Sequence, residues 1–168
     1  AINIGRKVNF VSGKIDQFWI KNCVSIGLSS SFVEPLEASS ISTTVQQARV
    51  LAGALGTWNR NDTVTAKHYN KIFDEVMFNI LDFIQLHYFT KRDDSEFWRW
   101  CKSDLKMTDF NAEHLEIFKK NFINQIALPT TNYNIYDILN WVQVMHGLRM
   151  FDIPSIKQCY ESMHGHLT

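Results

Sequence analysis

The residues best suited to chemistry lie in one loop near the start of the chain. The loop reads Gly27-Leu-Ser-Ser-Ser-Phe-Val-Glu-Pro-Leu-Glu-Ala-Ser-Ser-Ile41 and contains two carboxylates, Glu34 and Glu37. Pro35 stiffens the turn ahead of Glu37, because the residue before a proline is pushed towards extended geometry. A carboxylate held in this way, and partly desolvated, is suited to act as a general base or an electrostatic stabiliser. Glu37 is our candidate for that role.

The residues that follow Glu37 are suited to binding an anion. We predict a helix start near Ser39 or Ser40, since serine favours the N-cap. A helix start presents backbone N–H groups and the positive end of the helix dipole, and it binds anions without a basic side chain. Taken singly, these features have simpler explanations. Glu37 would then be a solvated carboxylate or the partner of a nearby cation, and the serines would belong to a flexible loop.

The order of residues over 19–41 resembles the flavin-dependent halogenases, of which the tryptophan halogenases are the best-known branch. The matching positions are Trp19, Asn22, Cys23, Val24, Ile26, Gly27, Leu28, Phe32, Val33, Glu34, Pro35, Leu36, Glu37 and Ile41. A second block over 87–98, His-Tyr-Phe followed by Arg-Asp-Asp-Ser-Glu-Phe-Trp, is similar to another recognisable block of that family. The resemblance covers roughly residues 1–105, and the remainder is compatible in its helical character.

The resemblance implies a reaction that uses reduced FAD, oxygen and a halide ion. In the family the halide is oxidised to a hypohalous species, which travels to a lysine beside an aromatic substrate. By resemblance, Glu37 positions that species or accepts the proton lost from the ring. The backbone amides of Ser39 and Ser40 correspond to the halide site, where serines replace the more frequent Thr and Gly. Leu28 and Ile41 fall where the flavin contacts this loop.

The second block implies a substrate site. Asp93, Phe97 and Trp98 fall where the tryptophan-specific members hold their substrate. Asp93 stands where glutamate is common in those members and no tyrosine pair precedes it, and these two departures leave open whether free tryptophan is the substrate. Phe97 and Trp98 have a second explanation as core residues of a short helix, since aromatic residues at helical spacing are usually buried.

Two parts of the family's machinery fall outside these 168 residues. No GxGxxG follows a strand, so the flavin pyrophosphate has no cradle here. The Trp-x-Trp-x-Ile-Pro segment and the essential lysine, both N-terminal in the family, are absent as well. We therefore interpret the chain as the C-terminal portion of a flavin-dependent halogenase that is inactive by itself. Its expected partners are an indole-like aromatic substrate, an N-terminal flavin domain and a separate flavin reductase.

Two other hypotheses stay open. The first is that the chain is a non-catalytic helical interaction protein descended from a halogenase, which the missing lysine and flavin cradle favour. The second is that it is part of a related flavin monooxygenase, because the strand–loop–helix element recurs in that wider class.

The elements that must position these residues are mainly helical, with a small strand remnant at the N-terminus. We expect a single domain over 1–168, in which a strand–loop element over 1–41 precedes a helical substrate module over 42–168. Short strands are predicted over 1–10, interrupted at Gly5, and a buried strand over Asn22–Ile26. Gly13 is expected to mark a turn.

Helices are predicted from apolar spacing and capping residues. The first runs from Ser39 or Ser40 to about Gly56. The clearest apolar stripe comprises Ile72, Phe73, Val76, Ile80, Phe83, Ile84 and His87. We expect Ser95, Asn111 and Asn134 to cap three further helices and Pro154 to lie in the first turn of the last one, with a breaker segment over 128–133.

Composition narrows the remaining possibilities. The 17 basic and 17 acidic residues cancel, which argues against nucleic acid or an anionic membrane surface as a partner. Cys23, Cys101 and Cys159 form no CxxC pair, which indicates reduced thiols in a cytoplasmic protein. No apolar run is long enough to span a bilayer. The pair His164-x-His166 is explained better by a flexible tail than by a metal site, so we expect no metal.

Overall fold

The structure, a computed structural model, describes residues 9–59, 62–121 and 133–164, and it confirms a mainly helical fold. The helices in those ranges are α1 Ser39–Leu55, α2 Thr63–Leu86, α3 Glu96–Ser103, α4 Asp109–Lys120, α5 Ile138–Gly147 and α6 Ile153–His164. The strands are β1 Gly13–Lys14, β2 Trp19–Ile20, β3 Cys23–Val24 and β4 Ser31–Phe32. Two short 3₁₀ turns cover Gly27–Ser29 and Leu36–Ala38.

The chain forms two compact units, a first unit over 1–73 and a second unit over 74–168, with the division inside α2. The expectation of a single domain stays a prediction. Within the described residues, none of the helices combines the length and the apolar character that crossing a membrane requires.

In the first unit, the β-hairpin β2–β3 is attached to α2 through Trp19. The backbone N–H of Trp19 donates to Asn70 Oδ1 at 2.7 Å, and Asn70 Nδ2 donates back to the Trp19 carbonyl at 3.0 Å. The Trp19 ring is buried and packs against Trp58 and Tyr69, each with ring centroids 5.6 Å from it. A second antiparallel pair, β1 with β4, joins the start of this unit to the loop that precedes Glu37.

Two predictions in this region are wrong. The buried strand over Asn22–Ile26 is only the two-residue strand β3, in which Cys23 is exposed, because the hairpin turns Trp19 rather than its second strand towards the interior. Gly13 does not mark a turn but pairs with Phe32 as part of β1. Residues 1–8, on which most of the first predicted strands fall, lie outside the described residues.

The helix predictions are confirmed where apolar periodicity is strong. The predicted stripe of α2 is buried at Ile72, Phe73, Val76, Ile80, Phe83 and Ile84. Ser95 caps α3, since its side chain accepts a hydrogen bond from the Trp98 N–H at 3.3 Å. The first helix ends at Leu55, and Pro154 is the second residue of α6, both as predicted.

Two predicted caps are wrong. Thr108 caps α4 by accepting from the Asn111 N–H at 3.2 Å, while Asn111 is fully buried inside the helix. Asp137 rather than Asn134 caps α5, because its carboxylate accepts from the Leu139 and Asn140 N–H groups in a capping box. Most of the breaker segment over 128–133 lies outside the described residues.

The core of the second unit is aromatic. Phe83 stacks on Tyr136 with ring centroids 4.0 Å apart, and Trp141, fully buried, contacts Phe83, Phe110 and Phe118 at 5.6 to 5.9 Å. Such pairs add about 0.5–1.5 kcal/mol each beyond the area they bury. This cluster holds the C-terminal half of α2 against α4 and α5.

Candidate functional site

The backbone at Glu37 adopts a conformation that non-glycine residues rarely use. Glu37 has φ 62° and ψ 9°, and Ala38 has φ 48° and ψ 29°, so two consecutive residues are left-handed directly before α1. This conformation costs roughly 1–2 kcal/mol for a residue with a Cβ atom. Strain of this kind clusters at functional sites, where the surrounding structure maintains it. The loop is therefore held in a specific shape.

The left-handed pair also determines how α1 begins. The helix starts at Ser39 as predicted, but its N-cap is Ala38, so the prediction of a serine N-cap is wrong. Alanine has no side-chain oxygen to accept from the first helical N–H groups, in contrast to serine. The Ala38 side chain thus accepts no hydrogen bond from the first N–H groups of α1. Helix starts whose N–H groups are not capped by a side chain are suited to binding anions. Ser39 is buried, and Ser40 is half-buried.

Two threonines in the next turn hold the carbonyls of the candidate halide residues. Thr43 Oγ1 donates to the Ser39 carbonyl at 2.8 Å, and Thr44 Oγ1 donates to the Ser40 carbonyl at 2.7 Å. We did not identify either threonine from the sequence, although its spacing of four residues from Ser39 or Ser40 is a signal for such a bond.

The turn over 27–30 packs against α1 and carries Leu28. Gly27 has φ +63°, and a Cβ atom placed on it would lie 3.1 Å from Thr44 Oγ1. Ser30 Oγ donates to the Gly27 carbonyl at 2.7 Å, and both residues bind the fully buried Gln47 of α1. Gln47 was not identified from the sequence, where nothing distinguishes it from a surface glutamine.

The candidate flavin contacts and the candidate base are accessible on this chain. Leu28 is 72% exposed and Ile41 is 71% exposed, although both are apolar. The Glu37 side chain is also exposed, in contrast to the partly desolvated carboxylate that we expected. The structure therefore places Glu37, Ser39, Ser40, Leu28 and Ile41 in the first unit, on the two 3₁₀ turns and the first turn of α1.

The predicted substrate residues lie in the second unit, at the start of α3. The Phe97 and Trp98 rings are 5.0 Å apart at 70°, and the Tyr88 ring lies 6.0 and 6.3 Å from them. Phe97 is 51% exposed, so it is not a core residue of this unit, and Trp98 is half-buried. We call Tyr88, Phe97 and Trp98 the aromatic cluster.

A charged group lies against Trp98 of the aromatic cluster. The Arg92 guanidinium lies 4.6 Å from the Trp98 ring centroid and makes a bidentate ion pair with Asp94, with contacts of 3.0 and 2.8 Å. The hydrogen bond from Arg92 lowers the pKa of the Asp94 carboxyl. Asp93 is exposed, and its backbone carbonyl accepts from Arg99 at 2.9 Å.

Among residues 9–59, 62–121 and 133–162, whose side chains are described, no group of three or more His, Cys, Asp or Glu residues is placed to hold a metal ion. The pair His164-x-His166 lies outside that set. All three cysteines are free thiols.

Comparison with known proteins gives one consistent result. The sequence profile described as tryptophan halogenase matches residues 2–161. The tryptophan 6-halogenase ThaL of Streptomyces albogriseolus is 34% identical over 130 residues, which are 77% of this chain and 24% of that protein. The chain thus spans about a quarter of the length of the curated relatives that it matches.

Solved structures agree with the sequence comparison. The fold is similar to BrvH, a flavin-dependent halogenase from Brevundimonas sp. BAL3, with a TM-score of 0.79 and 26% identity, over 89% of this chain and 30% of that one. It is also similar to Xcc4156, a flavin-dependent halogenase from Xanthomonas campestris, with a TM-score of 0.76 and 30% identity, over 85% of this chain and 28% of that one. The chain therefore belongs to the tryptophan halogenase family.

Proposed function

We propose that this chain is the C-terminal portion of a flavin-dependent halogenase that places a halogen on an indole-like aromatic substrate, using reduced FAD, oxygen and a halide. The observation that supports this most directly is the pair of left-handed residues, Glu37 and Ala38, immediately before α1. It places a carboxylate next to a helix start without a polar N-cap side chain, inside the family motif over 19–41.

Glu37 is the proposed catalytic residue. Its carboxylate is exposed and follows a proline-stiffened turn, so it can reach an incoming ring and accept the proton lost on substitution or position the halogen. The N–H groups of Ser39 and Ser40 are the proposed halide ligands. Thr43 and Thr44 support them by fixing the carbonyls of the same two residues.

The chain's residues fit one part of FAD only. Leu28 and Ile41 are exposed apolar side chains that come before and after the Glu37 turn in the sequence, and such side chains suit contact with a flat ring system. When bound, reduced FAD supplies with oxygen the oxidising power that turns halide into an electrophile. The 168 residues contain no cradle for the pyrophosphate and no family lysine, so we assign both to an N-terminal flavin domain and propose that the chain is inactive without it.

The aromatic cluster is the proposed substrate wall. The ring planes of Phe97 and Trp98 are inclined at 70°, so a planar aromatic that packs flat on one ring is steeply inclined to the other, as in an edge-to-face pair. Asp93 is the polar residue of this wall. The substrate class is an indole-like aromatic small molecule, and a separate flavin reductase supplies reduced FAD. The three free thiols support a cytoplasmic location.

The decisive experiment produces this chain together with the flavin-binding part of the same protein and assays halogenated indole products by mass spectrometry. We expect Glu37→Gln to lower kcat by about 10²–10⁴-fold, the usual contribution of a positioned acid or base. Glu113→Gln, at an exposed position on α4, is the matched control and should leave kcat unchanged.

Each other outcome of this assay points to a different class of protein. An unchanged rate for Glu37→Gln would contradict the role of Glu37. Hydroxylated products without halogen would identify a flavin monooxygenase. A complete protein that binds FAD but forms neither product would favour the non-catalytic interaction protein.

A further inference from the structure

One fully buried glutamine connects the two parts of the candidate site in the first unit. Gln47 lies in the third turn of α1 with 0% of its surface exposed. Its Oε1 accepts a hydrogen bond from the Gly27 N–H at 2.7 Å. Its Nε2 donates to Ser30 Oγ at 3.0 Å, and Ser30 Oγ donates in turn to the Gly27 carbonyl at 2.7 Å.

These bonds form a closed cycle around the turn that carries Leu28. The cycle holds both the first and the last residue of the turn, so Leu28 between them has a defined position relative to α1. At its other end, α1 begins with Ser39 and Ser40 and carries the exposed Ile41. The Gln47 carboxamide is therefore one link between the turn and α1, and through them between Leu28 and Ile41.

A contribution to core stability alone does not explain a glutamine at this position. Burying a carboxamide is unfavourable unless its polar atoms are hydrogen-bonded, and an apolar side chain would fill the same space without that cost. All of the carboxamide contacts described above go to Gly27 and Ser30, and none go to its own helix. Buried polar groups that are satisfied in this way specify a unique local geometry.

We propose that Gln47 is a positioning residue, which fixes the Gly27–Ser30 turn on α1 so that Leu28 and Ile41 present one surface to the flavin. This inference rests on the proposed function. It adds Gln47 to the proposed site as a residue that touches neither the halide nor the substrate. Its action is on flavin binding rather than on the chemical step, because its carboxamide hydrogen-bonds the turn that carries Leu28.

The test compares Gln47→Met with Gln46→Met. Methionine keeps the length of the side chain and removes its hydrogen bonds. Gln46 is the matched control, because it is the neighbouring half-buried glutamine of α1 and its Oε1 has no hydrogen-bond partner in the described part of the chain. Amide hydrogen exchange at Gly27 is measured by NMR on the 168-residue chain. KM for reduced FAD and kcat are measured on the complete protein.

We expect Gln47→Met to accelerate exchange at Gly27 by about tenfold, as the loss of one hydrogen bond predicts. KM for reduced FAD should rise by about tenfold while kcat stays within about twofold, because the flavin-contacting surface is disturbed and Glu37 is not. Gln46→Met should change none of these quantities. A purely structural role would instead lower the fraction of active protein, and with it the apparent kcat, at an unchanged KM.

A second variant keeps the proposal testable if Gln47→Met does not fold. Ser30→Ala preserves the Gly27–Gln47 bond and breaks the rest of the cycle, so KM for reduced FAD should rise by a smaller factor, about threefold. Unchanged exchange at Gly27 in Gln47→Met, or an unchanged flavin KM in both variants, would overturn the proposal. If the unmodified complete protein forms no halogenated product, the proposed function fails and the positioning role falls with it.

Discussion

Thr44 lies directly behind Gly27 and would be crowded by a side chain there. Its hydroxyl oxygen would be 3.1 Å from a Cβ atom on Gly27, and the same hydroxyl donates to the Ser40 carbonyl at 2.7 Å. The turn that carries Leu28 and the first turn of α1 thus meet at one threonine. Any displacement of Thr44 by a larger residue at position 27 would also disturb Ser40.

The first prediction concerns this contact. Gly27→Ala should lower the free energy of unfolding by about 1–3 kcal/mol, because the left-handed φ of +63° strains any residue with a Cβ atom and Thr44 is in the way. Urea denaturation of the 168-residue chain measures the change. Gly53→Ala is the control, since a Cβ atom at this position within α1 meets nothing within 4 Å. It should stabilise by about 0.5–1 kcal/mol.

The second prediction concerns the strain at Ala38. Ala38→Gly should raise the free energy of unfolding by up to about 1 kcal/mol, since glycine adopts the left-handed conformation without a steric cost. Ala48→Gly, at an exposed position in the middle of α1, should lower it by about the same amount. Equal destabilisation by both substitutions would show that Ala38 is not strained in solution.

The third prediction concerns the aromatic cluster of the second unit. Phe97→Ala should raise KM for the aromatic substrate by about tenfold in the complete protein, because it removes one wall of the proposed substrate site. Ile117→Ala, on α4, removes a side chain of similar exposure, 49% against 51%, and should leave KM within about twofold. Equal effects of the two substitutions would indicate that Phe97 does not contact substrate.

The fourth prediction concerns pH. Burial raises the pKa of the Asp82 carboxyl, an effect that a hydrogen bond from Thr108 and the charge of His114 reduce. Because the folded state holds this proton more tightly than the unfolded state, the contribution of Asp82 to stability falls as pH rises from the ordinary carboxyl pKa through the raised one. Asp82→Asn, which cannot ionise, should therefore be more stable than the unmodified chain at pH 7.

The stability difference should shrink towards zero as pH falls to 4. Urea unfolding of both chains at half-unit steps between pH 4 and pH 7 gives the difference directly, and the exposed carboxylates cancel between them. A difference that stays constant over this range would show that Asp82 does not titrate with a raised pKa.

Several features could be predicted from the sequence because their causes lie within a few residues. The buried stripe of α2 follows from the spacing of its apolar residues, and the cap at Ser95 follows from the chemistry of its own hydroxyl. The family can be predicted because the residues over 19–41 match the family motif in the same order. The predicted start of α1 is correct, but the predicted cause, a serine N-cap, is wrong. The helix begins after the left-handed pair Glu37 and Ala38, which contains no glycine or asparagine that would indicate this conformation in the sequence.

What the sequence determined by itself is the mainly helical fold, the family and the identity of the candidate loop, since each depends on neighbouring residues or on their order. Only the tertiary structure decided which polar side chains are buried and hydrogen-bonded to distant segments of the chain. Gln47 binds a turn 20 residues before it, and Asn111 binds a carbonyl 29 residues before it. A polar side chain within a helix is expected to face water unless a distant segment covers it and supplies its hydrogen bonds, and that partner is chosen by folding.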